Sequence, residues 1–471
     1  MRSPTIAYTA GILATASNAI NLVKRNDALP PRVVEHTIQR KDIRNPLDHD
    51  RKRWQRRKRD TLTVALDNEE TLYFANVSIG TPAQNLRLHL DTGSSDLWVN
   101  VDSSALCQAR GDPCSISGTY NANDSSTYTY LNSDFNISYV DGSGSAGDYV
   151  SDTVKIGDTT LTGQQFGIGY ESSSQEGILG IGYPINEVAV QYNGGKTYSN
   201  VPQSLVKAGA INTNAYSLWL NDLDASTGSI LFGGVNTEKY TGSLETIPIV
   251  ETQGVYAEFI IALTAVGANG TAGSIVNKQA IPALLDSGSS LMYLPNDITQ
   301  SIYDSVGASY DSEQGAAFVD CDLANSDGSL DLTFSSPTIK VPMNELVIVA
   351  GIDRGKEVCI LGIGPAGSST PVLGDTFLRS AYVVYDLAKN EISLAQTNFN
   401  STANNIMEIT TSTVPDATLV TNAVTSLAVS SGGARINSGT TVTLDGAAPT
   451  AGPGWSVAAI GAAAGAALYA L

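Results

Sequence analysis

An all-β body of two duplicated lobes related by a pseudo-two-fold axis is the fold class this sequence predicts, and three observations predict it. The stretch LHLDTGSSDLWV at residues 88–99 is echoed by ALLDSGSSLMYL at 283–294: an apolar run, an Asp, a small hydroxyl residue, Gly, two Ser, a second apolar run. Each copy is followed at matched distance by an apolar-apolar-Gly stretch, GILGIG with Gly180 lying 89 residues after Asp91 and PVLGDT with Gly374 lying 88 residues after Asp286. A repeat at fixed spacing marks a duplicated unit. Finally, residues 61–397 alternate apolar runs with turn signals such as Gly80-Thr81-Pro82, Asp141-Gly142 and Gly233-Gly234, and the 44 Gly and 20 Tyr favour short strands over long helices.

The chain opens MRSPTIAYTAGILATASNA, with one Arg, a modest apolar core and small residues near Ala16 and Ala19. Residues 1–19 therefore read as a secretory signal. A membrane anchor needs roughly 20 apolar residues, and this core is shorter and broken by Thr and Ser. Residues 20–59 are a basic pro-segment: of the 27 Lys and Arg, 14 fall within residues 1–59 beside 5 acids. Its last stretch, DRKRWQRRKRD, offers paired bases to a kexin-type processing protease cutting after Arg59, which leaves Asp60 as the mature N-terminus. The other reading is a basic solvated tail; a position between a signal and an acidic body favours a removable segment. The remainder holds 13 bases against 41 acids, a net −28. That charge repels nucleic acid and suits cationic partners or an acidic milieu, and it also simply keeps a secreted protein soluble.

Within the body the spacing assigns an N-terminal lobe to 60–245 and a C-terminal lobe to 246–397, with the boundary in YTGSLETIPIV at 240–250. Residues 398–446 read as a flexible stalk, because 401–446 carry 16 Ser and Thr and no clear period. Residues 447–471 end WSVAAIGAAAGAALYAL, a small-residue apolar tail with no basic flank after it. Stalk and tail together form the signal for a glycosylphosphatidylinositol anchor, with Asn437 and Gly446 both qualifying as attachment residues. A tail-anchored helix is the rival reading, disfavoured because so many Ala and Gly insert weakly.

A secretory route permits disulfides. Four cysteines allow three pairings; the local one, Cys107 with Cys114 and Cys321 with Cys359, keeps each bridge in its own half. The sequons at Asn76, Asn123, Asn136, Asn269 and Asn400 fit the same route, although Asn76 stands in the strand-like run YFANVSIG, a poor setting for a glycan.

Elimination narrows the chemistry. After processing the body keeps one histidine, His89, so a His-dependent triad has a single candidate, and no HExxH or GxxxxGK[ST] motif occurs. No metal or cofactor is called for. The two carboxyls of Asp91 and Asp286 remain. Brought together across the axis they cannot both ionise cheaply, so the pair holds one proton over a broad acidic range. One member then serves as base toward water while the other protonates a carbonyl. Gly93 and Gly288 let the chain turn beside each carboxyl, Thr92 and Ser287 are placed to hydrogen-bond across the axis, and Ser94 and Ser289 to hold the outer carboxylate oxygens.

Both Asp motifs, GILGIGYP, the closing VLGDTFLRSAYVVYDLAKNEISLA and the local cysteine pairs resemble the pepsin family of aspartic endopeptidases over residues 70–397. The resemblance implies a bilobal pepsin-like fold with the active-site cleft between the lobes, polypeptide substrates and a monomer. The signal, basic segment, stalk and tail resemble the yapsin-like, cell-surface members found in fungi, which implies a plasma-membrane or cell-wall location through the lipid anchor. The family's flap, a hairpin whose tyrosine closes over bound peptide, is matched by ISYVDGSGSAG, with Tyr139 as flap tyrosine and Trp98 as its indole partner. Val140 departs from the family's usual Gly. Asp141 and Ser143 match fungal members that accept lysine before the cut bond, while Asp-Gly is equally good turn chemistry. The alternative function is a catalytically silent pepsin-fold protein that binds peptides or wall; such proteins lose a dyad Asp or its neighbouring Gly, and this chain keeps both.

Overall fold

Apolar residues at every second position bury one face of the strand Gln84–Asp91: Leu86, Leu88 and Leu90 are buried, and the run delivers Asp91 at its end. The computed structural model describes residues 31–40, 72–139, 143–192, 194–225, 227–252, 254–410 and 413–427. The signal, the Arg51–Arg59 processing run, Asp141, the anchor-attachment residues and the C-terminal tail lie outside the described residues.

The sequence repeat is a structural one. Gln84–Asp91 pairs in parallel with Ile178–Gly180, setting Asp91 opposite Gly180, and Ile178–Gly180 pairs antiparallel with Leu97–Asn100. In the second half Thr271–Leu285 pairs in parallel with Val372–Leu373, which pairs antiparallel with Met292–Leu294. The matched spacing thus records the return of the chain to the strand that carries each Asp. Gly180 and Gly374 permit that return: a Cβ there would lie 2.7 Å from Asp96 O and 2.2 Å from Ser289 O respectively.

One 14-stranded sheet carries the strands of the first half other than Gly234–Asn236, together with Ala381–Asp386, Glu391–Thr397 and Ala417–Leu419, and a seven-stranded and a four-stranded sheet complete the second half. Tyr240–Pro248 runs unbroken through the expected boundary at 245, pairing with Glu391–Thr397, so the two halves meet in shared sheet and not at a linker. Where they meet, Tyr216, Phe259 and Tyr385 pack their rings with centroids 4.7–6.4 Å apart.

The structure adds a strand to one segment and differs from the sequence reading of another. Part of the basic segment is a strand: Val34–Arg40 lies between Thr227–Phe232 and Tyr73–Ile79, with Val34 and Ile38 buried. Val34 and Ile38, four apart, are the residues this strand buries. Residues 398–410 and 413–427, expected as flexible stalk, instead wrap the body. Ile406–Glu408 adds antiparallel to Gly234–Asn236 and Ala417–Leu419 adds parallel to Tyr240–Pro248. Ile409 and Val414 are buried, the Lys239 ammonium donates to Ser401 O at 2.6 Å and Tyr240 Oη donates to Asp416 at 2.8 Å. A few apolar anchors, spaced too widely to register as a period, override the Ser/Thr-rich composition; residues 428–446 lie outside the described residues.

The disulfides pair locally, Cys107 with Cys114 and Cys321 with Cys359, the latter tying the Cys321–Asn325 turn to the strand Lys356–Leu361. Among the described residues no helix is long and apolar enough to cross a membrane.

Candidate active site

Each Asp stands where a strand ends and a tight turn begins, so its carboxyl is met by the amide and hydroxyl groups of that turn. Gly93 N–H donates to Asp91 Oδ1 at 2.8 Å and Ser94 Oγ to Asp91 Oδ2 at 2.5 Å. The second copy repeats this: Gly288 N–H donates to Asp286 Oδ1 at 2.9 Å and Ser289 Oγ to Asp286 Oδ2 at 2.7 Å. The outer oxygens are thereby held, and the inner ones face each other. A Cβ on Gly93 would lie 2.5 Å from Asp286 Oδ1 and 3.2 Å from Asp91 Oδ1; one on Gly288 would lie 2.5 Å from Asp91 Oδ1 and 2.9 Å from Asp286 Oδ1. Both inner oxygens therefore border one small volume that only glycine leaves open.

Thr92 and Ser287 lock the two turns together. Thr92 N–H donates to Ser287 Oγ at 3.1 Å and Ser287 N–H to Thr92 Oγ1 at 3.0 Å, while the two hydroxyls donate to Leu285 O and Leu90 O across the axis. All four bonds are buried, where an unmade one costs about 1–3 kcal/mol, so the grip holds the carboxyls in register. His89 does not approach as a catalytic base would: its Nε2 lies 3.3 Å from Ser287 O and its ring packs on Phe74. Asp91 and Asp286 with Thr92 and Ser287 thus lie together.

Trp98, Tyr139 and Ser143 lie together as well. Trp98 Nε1 donates to Tyr139 Oη at 2.7 Å, and Tyr139 N–H donates to Ser143 O at 2.8 Å across the hairpin end. Burial, then the charge of Asp91, pushes the Tyr139 hydroxyl well above the usual tyrosine range, so it stays a neutral donor. Asp141 and Val140 lie outside the described residues. All five sequon asparagines have exposed side chains, including Asn76 on Tyr73–Ile79, whose exposed face leaves room for a sugar.

Sequence reasoning missed the buried acids around the dyad. Asp375 is fully buried and its N–H donates to Ser289 O at 2.8 Å, yet among the described residues neither carboxyl oxygen finds a hydrogen-bond partner. Burial raises it well above the usual carboxylate range, against the pull of Arg379 and with a push from Asp286, so it stays protonated. Asp96 and Glu187, both fully buried behind the flap, are the other pair. Asp96 had a visible signal, being a second ionisable residue inside the first Asp motif; Glu187 had none.

Two turns that present paired carboxyls to a shared volume, on a duplicated two-lobed β body under a tyrosine-bearing hairpin, define an aspartic proteinase. The comparisons with known proteins agree. The family model for eukaryotic aspartyl proteases matches residues 72–397, and the chain belongs to that family. It is 58% identical over 416 residues to the probable aspartic-type endopeptidase opsB of Aspergillus oryzae, covering 86% of this chain and 85% of the relative. It is 34% identical over 434 residues to aspartic proteinase 3 of Saccharomyces cerevisiae, covering 75% and 74%. The crystal structure of an aspartic proteinase from Irpex lacteus superposes with a TM-score of 0.60 at 23% identity, covering 79% of this chain and all of that one, a likeness of fold. The protein is an aspartic-type endopeptidase.

Proposed function

We propose that Asp91 and Asp286 hydrolyse polypeptide bonds by sharing one proton and activating a water between them. The observation that carries this reading is the symmetric setting of the carboxyls, each held at its outer oxygen by a serine and facing the other across a glycine-lined gap. The ionised member removes a proton from water as the water oxygen attacks the peptide carbonyl carbon, and the protonated member gives its proton to the carbonyl oxygen. The resulting diol collapses as the carboxyl protonated in the first step gives its proton to the leaving nitrogen and the other carboxylate takes one from a diol hydroxyl; the C–N bond breaks, the acid carbonyl re-forms and the dyad again holds one proton. The rate should therefore follow a bell in pH. Below the lower apparent pKa of the pair no base remains; above the upper one no acid remains. A profile of kcat/KM, measured at pH values where the protein stays folded, checks this; a plateau extending through both limbs contradicts it.

The surroundings of the body point to the cell surface. The signal at 1–19, the tetrabasic run ending at Arg59 and the small-residue tail at 447–471 support secretion, kexin-type cleavage and a glycosylphosphatidylinositol anchor holding a monomeric, N-glycosylated enzyme at the membrane or wall. The mature chain should start at Asp60 and be released from membranes by a phosphatidylinositol-specific phospholipase. N-terminal sequencing that finds residues 20–59 retained on the active enzyme, or protein that stays on membranes after the lipase and leaves only with detergent, contradicts the respective part.

For specificity, the match of ISYVDGSGSAG to the family's flap supports Asp141 as the residue that favours Lys or Arg on the amino side of the cut bond. A partly desolvated carboxylate–ammonium contact is worth on the order of 1–3 kcal/mol, about ten- to hundredfold in selectivity. An aspartate with an ordinary pKa of about 3.9 is ionised near pH ~5.5 and mostly protonated near pH ~3, so the preference should shrink as pH falls. Asp141→Thr should lose cleavage after Lys and spare cleavage after Leu or Phe. Peptide-library profiles that match the parent's at both pH values would leave Asp141 a turn residue.

A further inference from the structure

The wall behind the flap is built around two carboxyls that, among the described residues, no cation neutralises at contact distance. Asp96 Oδ1 accepts from Tyr149 Oη at 2.7 Å and from Tyr198 Oη at 2.9 Å, and Asp96 Oδ2 accepts from Val188 N–H at 2.8 Å. Glu187 Oε2 accepts from Tyr198 N–H at 2.7 Å, while its Oε1 is buried without a hydrogen-bond partner. The two acids are thus bridged by one residue, Tyr198, and by the Glu187–Val188 peptide. Both side chains are at 0% exposure. The groups facing them are Tyr139 and Tyr149 from the flap hairpin, Tyr198, and Lys207 at the end of the helix Val201–Lys207, whose ammonium is exposed and donates to Ser199 Oγ.

This hub leads to the flap by direct packing. Asp96 lies two residues before Trp98 on the same run. Tyr149 meets Phe135 edge-on with ring centroids 5.4 Å apart, and Phe135 packs on Trp98 at 6.3 Å. Phe135 belongs to Thr129–Ser138, the strand that ends one residue before Tyr139. The indole that Trp98 offers to Tyr139 is therefore set by side chains that Asp96 holds.

We propose that Asp96 and Glu187 are positioning residues that share one proton, and that loss of this proton unseats the flap wall, so that the enzyme's grip on its substrate is locked by acid. Two buried carboxylates bridged by one tyrosine repel each other with little water to screen them, whereas one carboxylate and one carboxylic acid are compatible. Burial, then the charge of Asp96, pushes Glu187 up to about 10, and burial raises Asp96 against its three hydrogen bonds. The sign follows. An unfolded Glu loses its proton near pH ~4.5 while the folded one retains it, so the stability this proton supports is complete below that pH and declines steadily as pH rises above it.

The inference rests on the proteolytic reading only for its kinetic arm. Glu187→Gln and Asp96→Asn each remove one titratable carboxyl and keep the shape. In the processed protein, tryptophan fluorescence and near-ultraviolet circular dichroism, which need no catalysis, should report loss of the wall at a pH at least one unit higher in either variant than in the parent. With peptide substrate, KM should climb with pH in the parent and climb later in the variants, each normalised to its own acid value, while kcat changes less. Asp96→Ala, which loses all three bonds, should raise KM at every pH. Unchanged spectroscopic midpoints in both charge-removing variants overturn the proposal, as do shifted midpoints with a parental KM profile, which would leave the pair purely structural. Absence of any peptidase activity with shifted midpoints counts against the dyad reading and leaves the hub standing.

Discussion

Asp286→Asn should yield a folded protein whose kcat/KM falls by about 10³-fold or more. The amide keeps the carboxyl's shape: its oxygen can accept from Gly288 N–H and its nitrogen can donate to Ser289 Oγ, so the turn survives. What goes is the proton that the pair shares. An amide neither donates an acidic proton to the substrate carbonyl nor takes one from water, and Asp91, relieved of its neighbour's charge, cannot perform both tasks in one cycle. Asp91→Asn should cost a similar factor, and the double variant little more than either single one, because residues that act as one unit are not additive. Near-ultraviolet circular dichroism and a melting curve establish the fold, and hydrolysis of an unfolded polypeptide at acidic pH gives the rate. A folded Asp286→Asn protein within tenfold of the parent would remove the assignment.

Glu345→Ala should cost about 3–5 kcal/mol of stability. Glu345 and Arg379 are both at 0% exposure, joined by Arg379 Nε to Glu345 Oε2 at 2.5 Å and by Arg379 Nη2 to the Glu345 carbonyl at 2.7 Å. Glu345 Oε1 also accepts from Leu223 N–H at 3.0 Å, so the carboxylate ties the second half to the first. Truncation leaves a guanidinium buried beside a carboxyl, Asp375, that burial keeps protonated. The pair's net worth is a different quantity: replacing both members with apolar residues of similar volume should cost far less than replacing Glu345 alone, since desolvation of two charges offsets most of their attraction. Urea midpoints of the single and double variants read the difference. A Glu345→Ala midpoint equal to the parent's would mean that water or Asp375 rescues Arg379.

The dyad and its frame were legible because they are local and repeated. The Asp-hydroxyl-Gly-Ser turns place their own hydrogen bonds, and the 89- and 88-residue spacings are the distances at which Gly180 and Gly374 return beside the Asp strands. Trp98 and Tyr139 could be paired only through a family resemblance, since nothing local links residues 41 apart. What stayed hidden depends on contacts of long sequence separation. Val34 and Ile38 are two apolar residues in a basic stretch until Thr227–Phe232 and Tyr73–Ile79 flank them. Ile409 and Val414 are lost in a Ser/Thr-rich composition until the first half covers them. Glu187 reads as an ordinary polar residue because burial of a carboxyl is a property of the packed wall, not of the neighbouring sequence.

The central claim is that this chain cuts polypeptides with its paired carboxyls, and the most direct test is cleavage of a denatured polypeptide by the processed protein at acidic pH, with and without pepstatin. The account predicts internal cleavage in acid that pepstatin abolishes. No cleavage by a folded, processed protein, or cleavage that pepstatin leaves untouched, would contradict it.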